Sequence, residues 1–131
     1  WADGLAIAHV GWRGLRNGVL ERTAEALVTV SEGPTEAVVG PHIGACCYGF
    51  GDRDLDDVAE RLGPTVRART TDAGPALDLA AGVRHVLAAL DIPLAVVDGS
   101  CTSCDERYWS FRATGTSRRQ AMVAWIEPAG R

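Results

Sequence analysis

Apolar runs are short in this 131-residue chain: none approaches the roughly 20 residues that a membrane-spanning helix needs, and no secretory signal peptide opens it. The reading therefore expects no membrane partner and a place in the reducing cytoplasm. Trp1 stands where an initiator methionine would, so the chain is expected to be processed, trimmed or partial. Positive charge is also in deficit, and the net charge of −4 gives no electrostatic reason to expect nucleic acid as a partner. Cysteine is sparse as well. Four cysteines are too few for a scaffold held by disulfides, which leaves packing, metal binding or chemistry as their uses. Repeats, low-complexity tracts and linkers are missing, so residues 1–131 are read as a single domain with one core. What is present is ordinary for a folded chain: 47 % apolar residues and 23 % charged ones argue against disorder.

Hydrophobic spacing gives the elements. Ala6 to Val10 reads as a strand interrupted by His9, followed by the glycine-bracketed turn "GWRG". Leu15 to about Val30 carries a helical stripe that Gly18 weakens. Ala37 to Val39 is a short strand, and Asp52 to Leu62 an amphipathic helix with Leu55, Val58, Ala59 and Leu62 on one side. "TVRART" alternates like an edge strand, and Pro75 to Leu90 forms the clearest helix, buried through Leu79, Val83, Val86, Leu87 and Leu90. Leu94 to Val97 is a buried strand, "DGSCTSC" a turn, and Tyr108 to Phe111 and Ala121 to Ile126 two further strands. Because the chain closes strand–loop–strand, a mixed sheet is expected rather than a purely parallel one.

Several residues invite chemistry. His9, at the end of an apolar strand, is either a histidine bonded to backbone or a fixed zinc ligand or general base. Cys46 and Cys47 lie in "GPHIGACCYGFG" with His42, and in extended backbone they point apart, one packed and the other free for a cleft. Cys101 and Cys104 form a C-x-x-C. A zinc site of all four thiolates is conceivable, but adjacent cysteines depart from the usual C-x(2–4)-C spacing, and the expectation goes against it. A redox dithiol also stays open, although "DERYWS" replaces the helix that normally follows one. Arg112, Arg118 and Arg119 around "ATGTS", and Arg13 after His9, form either solvated basic loops or an anion site.

Taken together, "AHVGWRGL" at 8–15, "GPHIGACCYGFG" at 40–51 and "CTSCDERYWSFRATGTSRRQAMVAWI" at 101–126 resemble the laccase-domain (YfiH-type) proteins in order and spacing. The match extends over nearly all of this chain and about the C-terminal half of a typical member. That resemblance implies a layered α/β (α+β) fold with a mixed sheet and flanking helices, similar to the CNF/YfiH-like cysteine hydrolase fold. It also implies an enzyme, historically called a polyphenol oxidase, with purine nucleoside phosphorylase activity on adenosine, inosine and methylthioadenosine and with adenosine deamination beside it. Zinc, or alternatively copper, is the implied metal, and phosphate the co-substrate of a small nucleoside. By position, His9 and Cys46 fall on catalytic and metal-binding places, while Arg13, Arg112 and Arg119 fall on arginines assigned here to the substrate.

The chain departs from that pattern at three places. The region after the cysteine loop, "AERLGPTVRA", lacks the family's second histidine, so His42 is the third metal ligand considered, with His85 read as a surface residue of a helix. Gly49 replaces a glutamate, and Ala113 an arginine. Two alternatives to the phosphorylase therefore stand: a metal-free Cys46–His9 hydrolase or amidase linked to peptidoglycan editing, and a non-catalytic relative.

Overall fold

Residues 4–33 and 35–127 are described by the computed structural model, so Trp1 lies outside them. Helix α1 (Trp12–Arg16) and helix α2 (Val19–Val28) replace the single helix expected from Leu15 onward. The break is at Gly18, whose φ of +83° is the left-handed conformation that glycine adopts at little steric cost. Strand β1 (Ala37–Val39) leads into the cysteine loop, where Ala45–Cys47 forms one turn of 3-10 helix.

Helix α3 (Asp52–Leu62) begins with Asp52 and Asp54, whose carboxylates suit the positive end of the helix dipole. It buries Leu55, Val58, Ala59 and Leu62, as its spacing predicts. A second 3-10 turn (Pro64–Val66) delivers β2 (Arg67–Arg69), which pairs antiparallel with β3 (Pro75–Leu77). Helix α4 (Leu79–Ala89) starts later than Pro75. Asp78 caps it by accepting the Ala81 amide at 2.9 Å, so Pro75 serves an edge strand instead of a first helical turn. His85 is exposed on α4, as expected.

Strand β4 (Leu94–Val97) returns beside β1 in parallel, giving one parallel and one antiparallel pair under helices: a mixed α/β arrangement. The core lies between the helices and β3. Leu15, Val58, Leu62, Val66 and Leu77 are fully out of water, each side chain stabilising the fold by roughly 2 kcal/mol through burial.

Three expected strands are absent from the described residues. Segments 6–10 and 121–126 have no ladder partner, and their apolar side chains Ile7, Val123 and Trp125 are exposed. Residues 108–110 are irregular, and Phe111–Thr114 forms a single helical turn, α5, capped by the Ser110 side chain. The apolar pattern of these segments reports what they can bury. A strand also needs a neighbour's amides and carbonyls, and none pairs with these segments among the described residues.

The parallel pair positions the site. Its ladder continues beyond the strand ends: Asp98 N–H donates to Val39 O at 2.8 Å, His42 and Cys101 form a parallel bridge, and Thr102 N–H donates to His42 O at 2.9 Å. The loops leaving the carboxyl ends of β1 and β4 thereby run side by side, at the end of a parallel sheet where ligand sites collect.

Candidate functional site

Two loops meet at four sulfurs. Within the 3-10 turn, Cys46 and Cys47 splay by about a third of a turn instead of pointing oppositely, and their Sγ atoms lie 3.7 Å apart. The expected division into one free and one packed cysteine is therefore corrected: both face the same point. Cys104 Sγ lies 3.9 Å from Cys46 Sγ, and all four sulfurs, Cys101 included, fall within 4.8 Å of one another. None is joined in a disulfide. The spacing argument against a four-sulfur cluster fails because it concerned chelation within one segment, whereas here the parallel ladder brings two segments together.

The cluster is supported from both sides. Thr71, in the turn between β2 and β3, donates its amide to Cys46 O at 3.0 Å. The arm leaving the turn is held by Leu77 N–H on Tyr48 O (3.2 Å) and by Phe50 N–H on Pro75 O (2.9 Å). On the other loop, the Gly44 amide donates to Cys101 Sγ at 3.1 Å. Gly44 has ordinary extended angles (φ −76°, ψ 157°), so its lack of a side chain matters for space. A Cβ there would stand 3.1 Å from Cys101 Cβ and 3.3 Å from Cys46 Sγ.

These contacts differentiate the thiols. Burial, reinforced by the neighbouring sulfurs of Cys101, Cys47 and Cys104, pushes Cys46 up to about 12. Burial would also raise Cys101, but the amides of Ser103, Gly44 and Cys104 directed at its sulfur outweigh it and hold the thiol at about 6. Cys104 is raised, chiefly through its contact with Cys101. One sulfur is thus prepared as a thiolate while its neighbour resists ionisation unless a cation joins the group.

Beside the cluster, three sequence motifs converge on Tyr48. Its buried ring meets Phe50 edge-on at 5.6 Å, and Phe50 meets Trp12 at 5.2 Å. The Arg112 guanidinium sits 4.9 Å from the Tyr48 ring centre, and Arg13 stacks on Trp12 at 4.6 Å. Burial raises the Tyr48 phenol, and the positive charges of Arg112 and Arg13 both oppose that rise. Arg119 lies 5.7 Å from the Phe111 ring and donates to the Thr116 and Arg118 carbonyls, so it braces its own loop. Two of the three expected substrate arginines therefore stack on the two ends of one aromatic row, and the third stands against the helical turn that carries Arg112.

The histidines are placed differently. His9 is exposed. His42 has Nδ1 3.0 Å from Gly40 O. The four cysteines form a possible metal-binding group among the described residues, and neither histidine belongs to a group of three or more. Sequence reasoning missed Tyr48 and set aside the joint use of the two cysteine pairs. Glycine at 44, four residues after Gly40 and directly before "ACC", was the available signal for a close approach.

A profile of the multi-copper polyphenol oxidoreductase laccase family matches residues 2–127. The chain belongs to this family. Similar relatives include purine nucleoside phosphorylases of Corynebacterium glutamicum, 32 % identical over 93 % of this chain and 50 % of that protein, and of Geobacillus stearothermophilus, 33 % identical over 93 % and 47 %. A crystal structure of a Neisseria meningitidis protein from the DUF152 family superposes with a TM-score of 0.68 at 29 % identity, over 82 % of this chain and 46 % of that one. The chain spans about half the length of the relatives it matches. Family membership accounts for the three linked motifs, and the Neisseria protein shares the mixed α/β fold.

Proposed function

We propose that this chain builds part of a purine nucleoside phosphorylase-type enzyme acting on adenosine, inosine or methylthioadenosine, with adenosine deamination as a side activity. The observation that carries the reading is the placing of Arg112 over the Tyr48 ring, next to the cysteine turn, with Arg13 stacked on Trp12 at the other end of the aromatic row Trp12–Phe50–Tyr48. Two guanidinium groups from distant motifs suit a phosphate dianion, which arginine binds through paired N–H donors. Arg119 supports the loop that presents Arg112.

In phosphorolysis a phosphate oxygen forms a bond to the ribose C1′ as the C1′–N9 bond breaks. The bonding electron pair leaves with the purine, which takes up a proton. Arg13 and Arg112 hold and orient the phosphate, and His9 is the residue this reading assigns to proton transfer. Cys46 is assigned to metal anchorage, with zinc as the ion. The set of two histidines and one cysteine implied by the resemblance does not fit, because no group of three that includes His9 or His42 forms among the described residues. No step is therefore routed through that ion. The metal-free Cys46 hydrolase has less support, since a thiol pushed up to about 12 is a weak nucleophile at neutral pH.

The test is phosphate-dependent release of hypoxanthine and ribose 1-phosphate from inosine by the purified protein. Arg13→Ala and Arg112→Ala should each lower kcat/KM by roughly 10²-fold, with the KM for phosphate rising. Release without phosphate, or no release from any of the three nucleosides, contradicts the reading.

A further inference from the structure

We infer that Cys46, Cys47, Cys101 and Cys104 together bind one zinc ion as four thiolates, a closed centre that ties the loop after β1 to the loop after β4. The metrics suit such an ion. With zinc–sulfur bonds of about 2.3 Å, a regular tetrahedron has sulfur–sulfur edges of about 3.8 Å. The cluster already shows 3.7 Å between Cys46 and Cys47 and 3.9 Å between Cys46 and Cys104, with every pair inside 4.8 Å. These separations are far longer than the roughly 2.05 Å of a disulfide, and the thiols are free.

The surroundings are those of a metal-bound sulfur. Metal-bound thiolates keep lone pairs that accept amide N–H groups, and such outer contacts fix the ligands in place. Gly44 supplies one to Cys101 from the opposite loop at 3.1 Å. The C-x-x-C folds into a tight turn in which the Cys104 and Asp105 amides donate to Cys101 O at 3.3 Å and 3.0 Å, so both of its sulfurs emerge on one side. A 3-10 turn does the same for the adjacent pair. Sulfur-only tetrahedral sites select zinc among the common divalent ions. Binding is balanced by release of the thiol protons, one from each sulfur that is protonated beforehand.

Four protein ligands leave no open position, so the ion is structural. Cys46 is then a fixed ligand, and chemistry falls to the neighbouring arginines and His9. The inference rests on the cysteine geometry and stands whether or not the protein phosphorolyses nucleosides.

The experiment is metal analysis of the protein purified under reducing conditions, followed by replacement of its metal with cobalt(II). One zinc per chain is expected, with four thiols protected from alkylation until a strong chelator is added. The cobalt form should show thiolate-to-cobalt charge transfer and the intense ligand-field absorption of a tetrahedral site. Cys101→Ser and Cys104→Ser should lose zinc to a chelator that leaves the unaltered protein loaded, whereas His9→Ala and His42→Ala should keep it. The cobalt spectrum needs no variant, so misfolding of a substituted protein does not decide the matter. Absence of metal with four freely alkylated thiols overturns the inference, as does zinc lost with His9→Ala and kept in both serine variants. Phosphorolysis measured on the same samples is read separately.

Discussion

Gly44 shows how one small residue sets a site. Its backbone angles are open to any residue, so a Gly44→Ala protein should fold, and the cost falls on the sulfurs that its new Cβ would press. The amide that supports Cys101 would shift with it. Zinc retention by Gly44→Ala in competition with a chelator should fall by roughly 10–100-fold, the range for loss of an outer contact, while far-UV circular dichroism stays unchanged. Retention equal to the original protein would remove Gly44 from the centre. At this scale the sequence was partly legible. It singled out Cys46, which the structure brings into the cluster, and it set aside the partnership of "CC" with "CTSC" because spacing along one segment says nothing of segments joined by a parallel ladder. The placing of Cys47 was misread for a local reason: the pair sits in a 3-10 turn, where neighbours diverge less than in a strand.

Helices were the most legible elements. The stripe of α3 matches its buried residues one for one, and that of α4 does so for Leu79, Val83, Val86 and Leu87. Boundaries were harder, since Gly18 divides the first helix and Asp78 starts the last one. The lost strands show the limit of pattern reading, because an apolar segment cannot announce whether a partner strand exists. Within α4, Gly82 lets the helices approach closely: a Cβ there would stand 2.8 Å from Leu15 Cδ2 and 3.2 Å from Leu62 Cδ1. Both leucines are fully buried in the close-packed core. Alanine would add about 1 kcal/mol of helix propensity, but overpacking costs about 1–3 kcal/mol. Gly82→Ala should therefore destabilise the protein in urea unfolding. A higher midpoint would show that this contact can relax.

Across the molecule, the core and the site hold different regions. The buried cluster joins α1, α3, α4 and β3, while the loops beyond β1 and β4 are joined by backbone bonds and four sulfurs. No helix among the described residues is long and apolar enough to cross a membrane. Metal removal should accordingly act unevenly. Chelation should lower the thermal midpoint and speed amide exchange most in residues 40–51 and 98–110, leaving α3 and α4 the best protected. Uniform loss of protection would mean that the ion supports the whole fold, and no change would mean that the loops need no ion.

The central claim is that these two loops close on a single metal through sulfur alone. Zinc K-edge X-ray absorption on the reduced protein reads that shell directly. The account predicts four sulfur neighbours at about 2.3 Å and no imidazole scattering. A shell of one sulfur with nitrogen neighbours at about 2.0 Å would contradict it.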